Sequence, residues 1–175
     1  GTGEHDVIYA GSGHHTINGG SGTTFIDTGT GGDIINGGSG ATTIVYSAFD
    51  THVDAGSSTA GNNTLWLEHD GTLADLQDTI IFKDLDVINL RPLQSMTGNT
   101  VKLNAAGVDA MSHNDTLKIN GGPHDNLVLT NGADSWHNGG TVTLDGHQYT
   151  DFYTALNSHT VNVYAEQTLH QVSIV

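Results

Sequence analysis

Apolar residues recur at every ninth position along the segment 1–45. Divided into nines, this segment reads GTGEHDVIY, AGSGHHTIN, GGSGTTFID, TGTGGDIIN and GGSGATTIV. Glycine-rich turns alternate with short runs of β-favouring residues, so each nonad predicts one turn and one short strand. Two nonads then make a full winding, and the isoleucines from both sides meet in a narrow stacked core. The eighth position is occupied by Ile8, Ile17, Ile26, Ile35 and Ile44.

Beyond Val45 the alternation of short apolar runs and turn residues continues, with less regular spacing. Short apolar runs, separated by turn residues, predict further strands of a β-helix with insertions between them. The segments 71–78 (GTLADLQD) and 105–111 (AAGVDAM) are expected to form short helical insertions. The runs that predict strands read AGNNTLWL, TIIF, DVINL, NTVKL, DTLKI and DNLVL.

From Thr141 the pattern changes to strict alternation around an Asp145-Gly146 pair. This dipeptide between alternating residues is a strong signal for a β-hairpin. The segment NSHTVNVYA follows as a third strand and HQVSIV as a last one, so we expect an antiparallel end that covers the open edge of the coil. One continuous domain would then comprise a nonad segment at 1–54, an irregular continuation at 55–135 and an antiparallel β cap at 136–175.

The nonads resemble the RTX calcium-binding repeat, whose pattern is GGxGxDxUx with a large aliphatic residue at U. The resemblance implies an all-β fold, a right-handed parallel β-roll, with Ca²⁺ between nonads n and n+2. Turn carbonyls and sixth-position aspartates would hold each ion, since calcium prefers hard oxygen ligands. The first site would use the Asp6 carboxylate and the carbonyls of Thr2, Glu4, Gly19 and Ser21. The second would use the Asp33 carboxylate and the carbonyls of Gly11, Gly13, Thr28 and Thr30.

The sequence departs from this repeat at the aspartate position. Each of the two sites keeps at most one sixth-position carboxylate, which weakens calcium binding unless main-chain oxygens, Asp27 or Asp50 compensate. We expect at least one calcium ion within the segment 1–54. The alternative is a metal-free coil held by stacked threonines and isoleucines. The sixth positions are Asp6, His15, Thr24, Asp33 and Thr42.

Residues 60–165 resemble a segment found near the secretion end of large bacterial RTX adhesins. The order of NNTLWL, FKDLDVINL, GNTVKLNAAGVDAM and NDTLKINGGPHDNLVL carries this resemblance, followed by SWHNGGTVTLDGHQYTDFYT. Such proteins leave the cell unfolded through a one-step channel and fold outside on meeting calcium. The resemblance therefore implies a calcium-binding structural and export module of a secreted adhesin at the bacterial surface.

The charge balance narrows the range of partners. The chain has nineteen acidic residues and four basic ones, so its formal net charge is −15, and no lysine or arginine precedes Lys83. Such a surface repels nucleic acid and anionic lipid and attracts divalent cations. The chain has no cysteine and no apolar run long enough to span a bilayer. We expect a monomer whose partners are calcium ions and, in the alternative below, a surface glycan or peptide.

Two other functions compete with this interpretation. The late aromatic residues could bind a glycan or peptide through Trp136, Tyr149, Asp151 and Tyr153, although rings near the end of a sheet usually pack its core or edge. A polysaccharide-acting enzyme with an acidic pair such as Asp84 and Asp86 has the least support, because the chain has a single arginine to stabilise developing charge and no nucleophile-elbow or zinc-protease motif. We therefore expect a protein without catalytic activity. The 11 histidines are interpreted as turn-surface residues rather than as a zinc site.

Overall fold

The structure is a computed structural model that describes residues 3–47, 49–58, 62–68, 73–77, 81–91 and 97–175. This part of the chain is mostly β, with parallel sheets and one short helix. The first nine strands are β1 (His5–Tyr9), β2 (Thr16–Gly20), β3 (Thr23–Asp27), β4 (Ile34–Gly38), β5 (Thr42–Val45), β6 (His52–Asp54), β7 (Thr64–Trp66), β8 (Leu73–Asp75) and β9 (Phe82–Lys83). The remaining elements are β10 (Val87–Asn89), β11 (Thr100–Asn104), α1 (Ala105–Met111), β12 (Thr116–Asn120), β13 (Asn126–Thr130), β14 (His137–Leu144), β15 (His147–Leu156), β16 (His159–Glu166) and β17 (Gln171–Ile174).

Strands of the nonad segment alternate between two sheets. Strands β1, β3 and β5 lie side by side in a nine-stranded sheet, and β2, β4 and β6 lie in a four-stranded one. All of these pairs are parallel, and their registers join Ile8 to Ile26 and Ile17 to Ile35. Two nonads therefore separate each strand from its partner, which is the spacing that the repeat predicts.

The periodic isoleucines fill the space between the sheets. Ile26, Ile35 and Ile44 are fully buried, and Ile17 is 6% exposed. A single cluster of buried apolar side chains continues from Ile17 to Ala165 and so includes all three segments of the chain. Each buried side chain of this size stabilises the fold by about 1.5–3 kcal/mol, so the core alone favours this arrangement of strands.

The spacing between paired strands grows in the second half of the chain. In the nine-stranded sheet Val45 pairs with Trp66, Trp66 with Asn89, and Asn89 with Asn120, so each step along the sheet spans more of the sequence than the one before. The added segments include strands of a third sheet, in the order β17-β13-β11-β8. The nine-stranded sheet runs in the order β1-β3-β5-β7-β10-β12-β16-β15-β14, so it contains strands from the nonad segment and from the antiparallel end.

One of the two expected helices is present. Helix α1 begins after Asn104, whose side chain accepts a hydrogen bond from the Gly107 amide and so caps the helix. The prediction of a helix at 71–78 is wrong for residues 73–77, the part of this segment that the structure describes. There Leu73–Asp75 forms strand β8, which pairs in parallel with β11. Ala74 and Leu76 are buried while Asp75 is exposed, a strand alternation too short to recognise in the sequence. No helix in the described residues is long and apolar enough to cross a membrane.

The predicted hairpin at Asp145-Gly146 is present. Both residues have positive φ, 53° and 83°, as a type I′ turn requires, and they join the antiparallel strands β14 and β15. Strand β16 is antiparallel to β15 but parallel to β12, so these strands extend the nine-stranded sheet. The last strand, β17, instead pairs in parallel with β13 in the third sheet.

Candidate metal centre

The Asp33 side chain is fully buried at the edge where the turns of the first segment stack. Its Oδ1 atom accepts a hydrogen bond from the His15 amide at 2.7 Å and lies 3.1 Å from Nδ1 of the same histidine. Its Oδ2 atom is buried and has no hydrogen-bond partner among the described residues. A buried carboxylate oxygen without a partner is costly, so this position calls for a cation or a donor.

Asp50 places a second buried carboxylate beside Asp33. It is 4% exposed, its Oδ1 accepts from the Asp33 amide at 3.3 Å, and its Oδ2 accepts from the Ser47 amide at 3.1 Å. Burial raises the pKa of Asp50, and the nearby charge of Asp33 raises it further, although hydrogen bonds from Ser47, Thr28 and Asp33 oppose the rise. Two hard, anionic oxygen donors therefore lie together, a donor set that fits calcium.

Two of the four carbonyls predicted for this second site, those of Gly11 and Thr30, bond one turn to the next. The Gly11 carbonyl accepts from the Thr30 amide at 2.8 Å, and the Thr30 carbonyl accepts from the Gly13 amide at 3.4 Å. The Thr28 hydroxyl donates to the Val45 carbonyl at 3.1 Å. Each carbonyl keeps a second lone pair, so these bonds do not prevent coordination. These bonds link the turn that contains Gly11 and Gly13 to the turn that contains Thr30, two nonads later.

The first predicted site is centred on Asp6. Its Oδ2 atom is also buried without a hydrogen-bond partner in the part of the chain that the structure describes, and the Glu4 carbonyl accepts from the Thr23 amide at 3.0 Å. Gly19 is buried and Ser21 is exposed. Thr2 lies outside the described residues. Asp6 and Asp33 are thus the sixth-position aspartates, and each has one unpartnered oxygen.

In two nonads the sixth position is a threonine, and its hydroxyl bonds within its own turn. The Thr24 hydroxyl donates to the Gly22 carbonyl at 3.3 Å, and the Thr42 hydroxyl donates to the Gly40 carbonyl at the same distance. Both threonines are buried. These two turns therefore satisfy their polar groups without a charged ligand.

In the segment that follows the nonads, the buried side chain of Asn63 cross-links neighbouring turns. We call a buried asparagine of this kind an amide brace. It is 1% exposed, and its Nδ2 donates to the carbonyls of Gly56 and Asp84, each at 2.9 Å. Its Oδ1 accepts from the Thr42 amide at 3.0 Å, and its own amide donates to Asp86 Oδ2 at 2.9 Å. One side-chain amide thus joins separate turns, as a bound cation would join their carbonyls.

Asn99 repeats this arrangement further along the chain. The side chain is fully buried, and its Nδ2 donates to the carbonyls of Leu67 and Leu90, each at 2.8 Å. Its amide donates to Asp125 Oδ1 at 2.7 Å, and Asp125 Oδ2 accepts from the Gly122 amide at 2.7 Å. These roles were not predicted from the sequence. The available signal was Asn or Asp directly before a strand in NTL, NTV and DNL.

Trp136 is part of the core rather than of a surface site. Its side chain is 4% exposed and belongs to the same apolar cluster as Phe152. Its indole Nε1 donates to the Thr130 carbonyl at 3.1 Å. Trp136 thus packs beneath the sheet, as aromatic residues at the end of a sheet often do.

The other three predicted aromatic-end residues lie at alternate positions of β15. Tyr149 is 4% exposed, and its hydroxyl donates to Asn120 Oδ1 at 2.8 Å. Asp151 accepts from the Asn162 side chain at 3.0 Å, whereas Tyr153 is exposed. Burial raises the pKa of Tyr149, and the charge of Glu166 adds to the rise. These residues share the outer face of the sheet, while Trp136 belongs to the core.

Asp109, Asp115 and His159 form a cluster where α1 meets β16. One ligand atom from each lies within 4.8 Å of the others, and His159 Nε2 is 2.9 Å from Asp109 Oδ1 and 3.9 Å from Asp115 Oδ2. An imidazole ligand favours transition metals over calcium. All three side chains are partly exposed, and the contact between Asp109 and His159 joins helix α1 to the start of β16.

A scan against protein-family models gave no match, and searches of curated proteins and of solved structures found no similar protein.

Proposed function

We propose that this protein is a calcium-binding structural and export module of a secreted bacterial surface adhesin. It would fold as a right-handed parallel β-roll, continued by an irregular β-helix with an antiparallel end. The observation that carries the proposal is the buried pair of carboxylates at Asp33 and Asp50, which lies within the nonad segment and leaves one oxygen without a partner among the described residues. The proposed role is structural and requires no catalytic group.

The chain's own groups orient the carboxylates for a cation. The His15 amide holds one oxygen of Asp33, and the amides of Ser47 and Asp33 hold the two oxygens of Asp50. Asp6 offers a second, separate carboxylate with one unpartnered oxygen. Calcium, when bound, would supply the positive charge that these buried groups lack.

Net charge and composition support ordering outside the cell. A chain with a net charge of −15 and 24 glycines repels itself and gains much conformational entropy when unfolded. A cation that binds only the folded coil shifts the equilibrium toward folding by mass action. The proposed sequence of events is export of the unfolded chain, then folding as a monomer where calcium is abundant.

The proposal is tested by thermal melts and far-ultraviolet circular dichroism after exhaustive chelation, followed by titration with calcium. Calcium should raise the melting temperature, and magnesium should not, because Mg²⁺ gives up its water shell reluctantly. Asp33→Asn keeps the shape of the side chain but removes its charge. This variant should raise the calcium concentration for half-maximal stabilisation by about tenfold or more.

Asp134→Asn is the matched control, because Asp134 is exposed and lies far along the sequence from the nonads. This variant should respond to calcium as the parent protein does. The proposal fails if chelation leaves the melt of the parent unchanged, or if Asp33→Asn and Asp134→Asn share one calcium midpoint.

A further inference from the structure

The outer face of the nine-stranded sheet carries a polar groove beneath the β14–β15 hairpin. Asp145 at the hairpin tip reaches Lys118 on β12, with Nζ and Oδ2 3.3 Å apart. Tyr149 on β15 also reaches β12, where its hydroxyl bonds Asn120. Strand β16 lies between β15 and β12 in the sheet. The hairpin therefore bends over the outer face and forms one wall of a cavity of about 350 Å³.

A charged pair at the end of the groove is held in place before any ligand arrives. Glu166 is 3% exposed, and its Oε1 accepts from Arg91 Nη2 at 2.6 Å and lies 3.0 Å from His147 Nδ1. Its Oε2 accepts from the Gly121 amide at 3.1 Å. Arg91 also donates to the Thr168 hydroxyl from Nη2. Nη1 and Nε of Arg91 make no hydrogen bond within the described residues, so these donors remain for a ligand.

Side-chain amides line the floor of the groove. Asn89 on β10 and Asn120 on β12 are paired neighbours. The Asn89 Oδ1 accepts a hydrogen bond from the Arg91 amide, and the Asn120 Oδ1 accepts one from the Tyr149 hydroxyl. Their Nδ2 groups have no partner among the residues that the structure describes. Trp66 pairs with Asn89 on the next strand, and its Nε1 donates to the Arg91 carbonyl at 2.8 Å. Trp66 is partly exposed and lies on the strand next to this row of donors, but it does not itself line the groove.

We propose that this groove binds a neutral saccharide. The planar amides and the guanidinium can each bond adjacent hydroxyl groups, and Asp145 offers an acceptor. The volume of the groove, about 350 Å³, lies near the lower end of the range for small-molecule sites, which starts at about 300 Å³. A cavity of this size has room for one or two sugar rings. A second cavity of about 250 Å³ shares Lys118 and Asp145, so a longer chain has room to continue.

The charges of the groove favour a neutral ligand over an acidic one. Arg91 and Lys118 are half of the four fixed cations of the chain, and each is paired with a carboxylate, Glu166 and Asp145. The remaining surface of a molecule with net charge −15 repels anions. This binding site is separate from the carboxylates at Asp33 and Asp50, and saccharide binding there does not depend on calcium.

The test uses ¹⁵N-labelled protein with glucose, galactose, mannose and N-acetylglucosamine as neutral probes and glucuronate as the acidic one. Saturation-transfer NMR detects binding, and amide shifts locate it; we expect changes at Asn89, Arg91 and Asn120 with at least one neutral sugar. Asn89→Ala should weaken that binding by about tenfold, since it removes a donor and the Arg91 contact. Asn36→Ala is the matched control, because Asn36 forms an asparagine pair with Asn18 on the other sheet.

Several outcomes would overturn the inference. One is that no neutral sugar binds with a dissociation constant below about 10 mM. The others are that glucuronate alone binds, or that Asn89→Ala and Asn36→Ala bind the sugar with equal affinity. Circular dichroism of both variants establishes that they are folded. Repeating the titration in chelator separates this result from the calcium proposal, because the groove should bind sugar wherever the segment 62–175 is folded.

Discussion

At the scale of single residues, buried carboxylates and buried amides divide the turns into two kinds. Asp33 and Asp50 bring negative charge into the turn edge of the nonads, and one oxygen of Asp33 has no partner within the described residues. Asn63 and Asn99 instead bond two carbonyls each from within the fold. A cation would supply the missing partner in the first kind of turn, whereas the second kind already contains its cross-link.

Asn63→Ala should destabilise the protein by roughly 2–4 kcal/mol, with or without calcium. The change leaves the carbonyls of Gly56 and Asp84 and the amide of Thr42 without their partner in a buried place. Urea unfolding in chelator and in calcium measures the loss. Asn62→Ala, at the exposed neighbouring position, should stay within about 0.5 kcal/mol of the parent. Equal losses in the two variants would show that the amide is not a brace.

The sequence predicted some of these residues and missed others for a physical reason. The phase of the nonads places Asp6 and Asp33 at the turn edge, because partners two nonads apart stack directly. Asp50 is predicted only as a compensating ligand, since it lies at the fifth rather than the sixth position of its nonad, and the turn before it has no glycines. The role of Asn63 depends on contacts with Gly56 and with the distant Thr42 and Asp84, and no local pattern encodes that geometry.

At the scale of elements, glycine allows the ends of stacked strands to approach closely. Gly38 ends β4 with φ of +102°, and a Cβ at this position would clash with the Gly20 carbonyl on the adjacent strand. A side chain here would strain the backbone and push the two strands apart.

Gly38→Ala should therefore cost about 2 kcal/mol or more, measured by denaturant unfolding in saturating calcium. Gly132→Ala is the control, because a Cβ there would meet no atom within 4 Å. Its stability should differ from that of the parent by no more than about 0.5 kcal/mol. A Gly38→Ala protein as stable as the control would contradict the close packing of these turns.

Element types were predictable where periodicity or turn chemistry was strong. The nonad strands, the helix at Ala105–Met111 and the Asp145-Gly146 hairpin were all expected from the sequence, and the structure has them. Strand β8 was mistaken for a helix because its alternation is too short to stand out. The bend of the hairpin over the sheet depends on contacts with Lys118 and Asn120, which are distant in sequence.

At the scale of the whole molecule, we expect the two kinds of turn to give the two halves of the chain different stability. The nonad half has buried carboxylates and no lysine or arginine. The second half has the amide braces, all four fixed cations and most members of the apolar cluster. Without calcium, the carboxylate oxygens of Asp6 and Asp33 that lack a partner among the described residues oppose folding of the first half, whereas the buried carboxylates of Asp125 and Glu166 in the second half are hydrogen-bonded.

Hydrogen exchange measured by mass spectrometry should reveal this difference. In chelator we expect backbone amides of the segment 3–58 to exchange at least about tenfold faster than those of strands β11–β16, because local opening there costs less free energy. Calcium should slow exchange in this segment and change the later strands little. Uniform exchange along the chain in chelator, or uniform slowing by calcium, would contradict the division.

The two-nonad register limits how a chain of this kind can grow over evolution. Duplicating a pair of nonads adds one strand to each sheet and returns every later strand to its own sheet, with its apolar side chains still facing inward. Duplicating a single nonad would move each later strand to the opposite sheet. The strands that follow the nonads would then lose the parallel partners on which their own sheet continues. Length variation among descendants of such a gene should therefore come in pairs of repeats, with odd insertions confined to the loops of the second half.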